Sequence, residues 1–178
     1  MHKQIKEFLK DQGRAVLLLD HTASENIIYT WNGIRNPFES ALNSLIIKIC
    51  KYMPSRVNGF LLRKLLNMGI GKNVGIASEV DFDGLFPELI SIEDDVIIGW
   101  RVSILCHEFT QKKIRLGRVR VKRNALVGAF SVIRCGVTIG ENAIVAMCSF
   151  VNKDIPDNEL WGGVPARKIK ELTQPDYQ

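Results

Sequence analysis

An all-β solenoid is the fold class this sequence predicts, and three observations predict it. Val121, Val127, Ile133, Ile139, Val145 and Val151 recur every six residues, and all are β-branched. The fourth residue after each is again small or aliphatic: Ala125, Ser131, Val137, Ala143, Ser149 and Ile155. Turn-forming residues echo at 18 residues, Asn124 with Asn142 and Gly136 with Asp154. A period of six fits neither the helical repeat of about 3.6 nor plain strand alternation. Short β-branched segments separated by turns at fixed spacing instead stack as coils of three hexapeptides. Asn, Asp and Gly tolerate a left-handed backbone at a tight corner, so equivalent corners fall in columns.

Residues 1–69 read as an N-terminal helical segment. Ile5, Phe8 and Leu9 have the spacing of a short amphipathic helix. Over residues 38–53, Leu42, Leu45, Ile46, Ile49 and Cys50 recur at three and four, the pattern of one buried helical face. Asn36-Pro37 or Ser40 opens that helix and Pro54 stops it. Residues 57–68 repeat the pattern with Phe60, Leu61, Leu65 and Met68, Gly69 serving as C-cap and Arg56, Arg63 and Lys64 on the polar side. Packing as a cap on the solenoid's end is favoured over association with anionic lipid.

The solenoid spans residues 70–163. Its phase runs through Ile70, Ile76 and Phe82, breaks at residues 87–91 and resumes at Ile92, Ile98 and Ile104. A loop excursion follows over residues 109–120, and excursions from a solenoid are where binding and chemistry are usually built. Residues 164–178 read as a C-terminal helix and tail. A helix over residues 166–172, with Pro165 in its first turn, would cover the open edge that any β-solenoid presents.

Composition narrows the setting. With 178 residues and 46% apolar content the chain is a globular domain with appendages. No apolar run approaches the roughly 20 residues of a membrane span; residues 42–52 are interrupted by Lys48 and Lys51. Residues 15–19 are too short for a signal-peptide core. Cys50, Cys106, Cys135 and Cys148 form no CxxC pair. Idle thiols of this kind suit a reducing compartment, so a cytoplasmic location is expected. The net charge of +5 is uneven: residues 79–95 hold seven acids and no Lys or Arg, and residues 112–123 hold seven bases and no acid. Such a basic stretch is either solvated surface or an anion-attracting rim.

Three stretches carry a resemblance to a known family. Gly136-Val-Thr-Ile-Gly-Glu-Asn142, Val151-Asn-Lys-Asp-Ile-Pro156 and Gly162-Gly-Val-Pro-Ala-Arg167 resemble the hexapeptide-repeat acyltransferases, within them the xenobiotic, galactoside and maltose O-acetyltransferases. Phe86-Pro-Glu-Leu-Ile-Ser-Ile92 and Ile104-Leu-Cys-His-Glu-Phe109 resemble a bacterial and archaeal acetyltransferase subgroup. The likeness covers about residues 70–172. It implies a left-handed parallel β-helix, a homotrimer, and acetyl-CoA as co-substrate in the groove between subunits. Neither hand nor oligomer follows from the period.

The resemblance also implies roles. Of the three histidines only His107 lies at the excursion, where the family has its general base. A neutral hydroxyl is a weak nucleophile near neutral pH, and imidazole titrates in the range that helps it. Glu108 and Asp81 are expected at the acceptor, Glu108 reaching the imidazole only if the backbone bends, since adjacent strand side chains diverge. Gly128, Ala129, Ala146, Met147, Asn152 and Lys153 match the pantetheine groove, and Arg167 and Lys170 match the positions that hold CoA phosphates. Leu126 departs from the family, where several members have Trp. The expected reaction is O-acetylation of a sugar or glycan-type acceptor, with no metal, no nucleic acid and no membrane span. The zinc-dependent carbonic anhydrases of similar coil need three His ligands, and His2 and His21 lie outside the solenoid. The other alternative is a non-catalytic module that binds an anionic polymer through residues 112–123. Its basic residues are not interleaved with aromatics, which disfavours stacking on single strands.

Overall fold

Two- and three-residue strands stack into the three walls of a triangular prism in the computed structural model, which describes residues 2–11, 13, 15–22 and 25–173. The first wall stacks Gly69–Ile70, Ile90–Ile92, Val119–Val121 and Thr138–Ile139. The second stacks Gly75–Ile76, Ile97–Ile98, Leu126–Val127, Ile144–Val145 and Glu159–Gly162. The third stacks Asp81–Phe82, Ser103–Ile104, Val132–Ile133 and Phe150–Val151. All these pairings are parallel, and Val121 pairs with Ile139, one 18-residue coil on. All twelve residues of the two predicted inward series are buried. Each fully buried Val or Ile contributes roughly 1.5–3 kcal/mol, so the column is the main source of stability.

The corners show which turn residues the period needs. Asn73, Asp95, Asn124, Asn142 and Asn158 form one column with φ between 53° and 61°. Their side chains form a ladder: Asn124 Nδ2 donates to Asn142 Oδ1 at 2.9 Å, and Asn142 Nδ2 to Asn158 Oδ1 at 2.8 Å. A second column, Glu79, Arg101, Phe130 and Cys148, is equally left-handed, although none of these is a turn-former by type. Stacking imposes the conformation there. Gly136 is left-handed at 81°, but its expected counterpart Asp154 is not; the Asp154 carboxylate accepts the Thr138 N–H at 2.7 Å instead.

The appendages depart from expectation in three places. First, the N-terminal segment is not all helix. Helix α1, His2–Lys10, precedes a strand, Val16–Asp20, which pairs antiparallel with Lys113–Gly117. That strand pairs in turn with His107–Phe109, so the excursion is a hairpin roofed by the N-terminus. Leu17, Leu19, Ile114 and Leu116 are buried between the layers. Second, after the short helix α2, Ile27–Thr30, come α3, Pro37–Cys50, and α4, Ser55–Leu65, whose buried faces are rotated from those expected: Cys50 and Met68 are buried and Ile46 and Leu61 pack on the core, but Leu42, Leu45, Ile49, Phe60 and Leu65 are exposed. Ser40, Ile47 and Cys50 face inward on α3, and Asn58, Gly59 and Leu62 on α4. Gly59 is the close-approach point, since a Cβ there would lie 3.6 Å from Ile70. The C-cap of α4 is Leu66, not Gly69. Third, the expected C-terminal helix is a strand. Arg167–Glu171 pairs antiparallel with Glu159–Gly162. The last parallel strand leaves an open row of N–H and C=O groups, and a hairpin through Gly163 satisfies them where a helix would not. The tail over residues 174–178 lies outside the described residues.

Candidate active site

A buried carboxylate, Asp83, and a half-buried imidazole, His107, form the one carboxylate–imidazole ion pair among the described residues. Phe82 pairs in register with Ile104, so the corner after Phe82 lies directly beneath the corner after Ile104. Asp83 turns inward at that corner, its side chain wholly buried. Its Oδ1 accepts the Leu85 and Phe86 N–H groups, both at 2.9 Å, and its Oδ2 accepts the Cys106 N–H at 2.7 Å. The same Oδ2 lies 2.5 Å from His107 Nδ1. Burial pushes the Asp83 carboxyl up, but the His107 hydrogen bond and charge, with the Phe86 and Cys106 amides, outweigh it and hold the group below its ordinary value. Asp83 is therefore a carboxylate, and an acceptor-only carboxylate requires Nδ1 to carry the proton. In the neutral ring that leaves Nε2 as the nitrogen with a free lone pair, on a side chain 26% exposed.

The surroundings fix the ring. Phe109 lies 4.7 Å from it, centroid to centroid, and Phe86 meets it edge-on at 6.4 Å. Helix α3 backs the Asp83 turn: Asn43 Nδ2 donates to Gly84 O at 3.2 Å, and a Cβ on Gly84 would strike Ser44 Oγ at 2.6 Å. Arg35 joins Glu88 at 2.6 Å and covers the Phe86 ring at 5.5 Å.

The other expected site residues are distributed over both edges of the third wall and the terminal strand. Glu108 diverges from His107, as extended backbone demands, and forms a two-pronged ion pair with Arg134 at 2.5 and 2.7 Å. It does not orient the imidazole. Asp81 is exposed on the outer face of its strand and pairs with Lys51 at 2.9 Å. Gly128 and Ala129 sit with Ala146 and Met147 at the edge between the second and third walls, on successive coils. Gly128 is small because the next coil presses on it: a Cβ would lie 2.5 Å from Met147 N. Gly99 meets Ala129 N in the same way at 2.6 Å. The stack, not a ligand's approach, accounts for these glycines. Asn152 and Lys153 leave the third wall at the opposite edge, the edge that carries His107. Asn152 Oδ1 is buried without a hydrogen-bond partner. Arg167 and Lys170 lie on the terminal strand, Arg167 bonding Ala166 O at 2.8 Å. Leu126 stands on the outer face of the second wall between Ile97 and Ile144. One protomer thus holds the imidazole and the Gly128–Met147 cluster on two different edges.

Sequence reading missed Asp83, although a signal was present. Phe82 shares the phase of Ile104, which places Asp83 one coil below the His107 corner.

Comparison with known proteins decides the family. The model for bacterial transferase hexapeptide (six repeats) matches residues 118–153. The Bacillus subtilis (strain 168) protein "Putative acetyltransferase YvoF" is 38% identical over 128 residues, 71% of this chain and 74% of that one. The chain belongs to the hexapeptide-repeat acetyltransferases. Galactoside O-acetyltransferase of Escherichia coli (strain K12) is 34% identical over 94 residues, 49% of this chain and 46% of its own length. The structure of the Vibrio cholerae hexapeptide-repeat acetyltransferase VCA0836 with acetyl coenzyme A superposes with a TM-score of 0.61 at 23% identity, covering 78% of this chain and 92% of that one. That likeness shows the fold, a left-handed parallel β-helix.

For an acetyltransferase of this family the basic stretch matters less than its composition suggests. Arg118 is buried, its Nη2 donating to the Phe8, Leu9 and Asp11 carbonyls at the end of α1. Lys122 pairs with Asp157 at 3.0 Å and Arg123 with Glu141 at 2.6 Å. The acidic stretch is matched too, by Arg101 on Glu79 and Arg35 on Glu88. At least three of the seven cations are thus engaged within the chain, and membership of an acetyltransferase family speaks against the non-catalytic alternative. Among the described residues no helix is long and apolar enough to cross a membrane.

Proposed function

We propose that this chain transfers an acetyl group from acetyl-CoA to a hydroxyl of a sugar or glycan-type acceptor, with His107 as general base. The observation that carries the reading is the Asp83–His107 pair, which fixes the tautomer that leaves Nε2 free to accept a proton. Nε2 takes the acceptor's hydroxyl proton while that oxygen bonds to the thioester carbonyl carbon. The C–S bond then breaks, and the proton passes from His107 to the departing thiolate, giving the acetyl ester and CoA. Asp83 stays a carboxylate and stabilises the imidazolium between the two transfers.

The co-substrate part rests on family membership and on the acetyl-CoA complex of the Vibrio cholerae relative. The acceptor part rests on the galactoside O-acetyltransferase likeness. A homotrimer with sites between subunits fits the two-edge arrangement: one protomer supplies His107, and its neighbour presents Gly128, Ala129, Ala146 and Met147 to the pantetheine arm. Asn152 and Lys153 stand on the His107 side, where Asn152 offers an unmatched acceptor. Arg167 and Lys170 provide cations for the CoA phosphates. Four free cysteines suit the cytoplasm, where thiols stay reduced.

The test is thiol release from acetyl-CoA against a panel of sugars and amino sugars, run beside His107→Ala. The variant should lose kcat by roughly 10²–10⁴-fold with acetyl-CoA affinity unchanged by calorimetry. Near-normal turnover in the variant would remove His107 from the reaction.

A further inference from the structure

We propose that the outer face of α3 and α4 is a docking surface for an anionic phospholipid bilayer. Phe38, Leu42, Leu45 and Ile49 recur at intervals of four, three and four, which places them on one face of α3. That face points away from the protein: Phe38 is 77% exposed, Leu45 54% and Ile49 49%. Tyr52, Val57, Phe60 and Leu65 extend the apolar surface onto the connection and α4, with Phe60 at 55%. Isolated exposed apolar residues are ordinary, but a continuous patch on two adjacent helices marks a surface that something covers.

The charge around the patch selects the occupant. Residues 40–78 contain Lys48, Lys51, Arg56, Arg63, Lys64 and Lys72 and no Asp or Glu. Lys51 is engaged by Asp81, and Arg63 by the Ile70 and Gly71 carbonyls. Lys48, Arg56, Lys64 and Lys72 remain exposed. Lys48 immediately precedes Ile49 and lies three residues after Leu45, so it borders the stripe. A cleft of about 710 Å³ opens beside α4, lined by Arg56, Phe60, Arg63 and Lys72 with one acid, Asp95, so that cations outnumber carboxylates around it. Apart from Glu39, which pairs with Arg35 at 3.2 Å, the margin of this apolar face is basic, the pattern of a helix lying in the interface of an anionic membrane. A twofold contact between two copies would oppose cations with cations, which disfavours a symmetric pairing through this face. The inner side of α3 holds the Asp83 turn through Asn43 and Ser44. Docking would therefore bring that turn close to the lipid surface, whatever acceptor the enzyme uses.

Flotation of the full chain with vesicles tests this directly. The protein should float with vesicles of phosphatidylcholine and phosphatidylglycerol in equal parts, stay behind with phosphatidylcholine alone, and be released by raised salt. Lys48→Gln with Lys64→Gln should weaken partitioning about 25-fold, about fivefold for each cation removed. Leu45→Ser with Phe60→Ser should abolish flotation while leaving the thermal transition and the light-scattering molar mass unchanged. Equal flotation with both vesicle types, or flotation unaffected by both variants, would overturn the proposal. A fall in molar mass in the Leu45→Ser, Phe60→Ser variant would overturn it as well, and would assign the face to a second copy.

Discussion

The coils over residues 118–156 and the coil over residues 83–117 share the same three walls but differ in their corners. The regular coils close each corner within a few residues, and their corner side chains bond to equivalents on the next coil. The irregular coil inserts a turn at residues 83–89 and a hairpin at residues 107–117, and these two insertions bring Asp83 and His107 together. Repetition supplies a rigid frame, because every inward residue meets a like residue above and below. Its unlike charged pairs, such as Arg123 with Glu141, lie on the exposed corners, while its inward positions carry like apolar or small residues and so bring no buried carboxylate against an imidazole. Chemistry enters where the period is broken.

The sharpest way to break that comparison is Asp83→Asn. An amide nitrogen facing His107 Nδ1 would force the proton onto Nε2 and remove the lone pair that the proposed mechanism uses. The expected loss in kcat is about 10²–10⁴-fold, with acetyl-CoA affinity unchanged. Placed in a His107→Ala background it should cost little more, because the two residues act as a unit. The pH dependence has a definite sign. A carboxyl held below its unfolded value adds stability above that value and loses it as pH falls through the folded one. Wild type should therefore lose its advantage over Asp83→Asn at acid pH, below the usual carboxylate range, as read by denaturant titration at neutral and acid pH. An advantage that grows on acidification would contradict the ionised state assigned to Asp83.

The complementary test lies in the regular half. Ile133 is fully buried in the third wall and pairs with Ile104 and Val151. Ile133→Ala should destabilise by roughly 2–5 kcal/mol, visible as a lower denaturant midpoint. Turnover per folded molecule should stay near wild type. A kcat loss comparable to that of Asp83→Asn would mean that the frame and the chemistry are not separable.

The regular half is also the half that could be read from the chain. Twelve inward positions and the Asn corner column follow from a six-residue period, because the prism interior accepts only small or aliphatic side chains. The irregular half was legible only as an interruption. The strand Val16–Asp20 finds its partner almost a hundred residues away, at Lys113–Gly117, and no local period announces a non-local pairing. The helix faces are legible only in part for a related reason. Leu42, Leu45 and Ile49 make the better apolar stripe, but Ser40 and Ile47 turn inward beside Cys50, the one member of the expected stripe that is fully buried. His107 stood out as the histidine at the excursion, whereas Asp83 was one acid among seven, and only the coil above it distinguishes it from Asp81.

Glu108→Gln gives the smallest expected effect and separates the two acids adjoining the site. Arg134 hydrogen-bonds and attracts the Glu108 carboxylate, outweighing burial and holding it below its ordinary value. Both side chains are about one-third exposed, so water screens most of that interaction. The variant should lose less than about 1 kcal/mol of stability and keep kcat within about twofold, since its contacts run to Arg134 and not to the imidazole. Turnover and denaturant midpoint measured on one preparation check both limits. A hundredfold fall in kcat would restore Glu108 to the acceptor and leave Asp83 as a packing group. A stability loss without a rate loss would make the Glu108–Arg134 pair a tie between the hairpin and the regular coil above it, the role the geometry gives it.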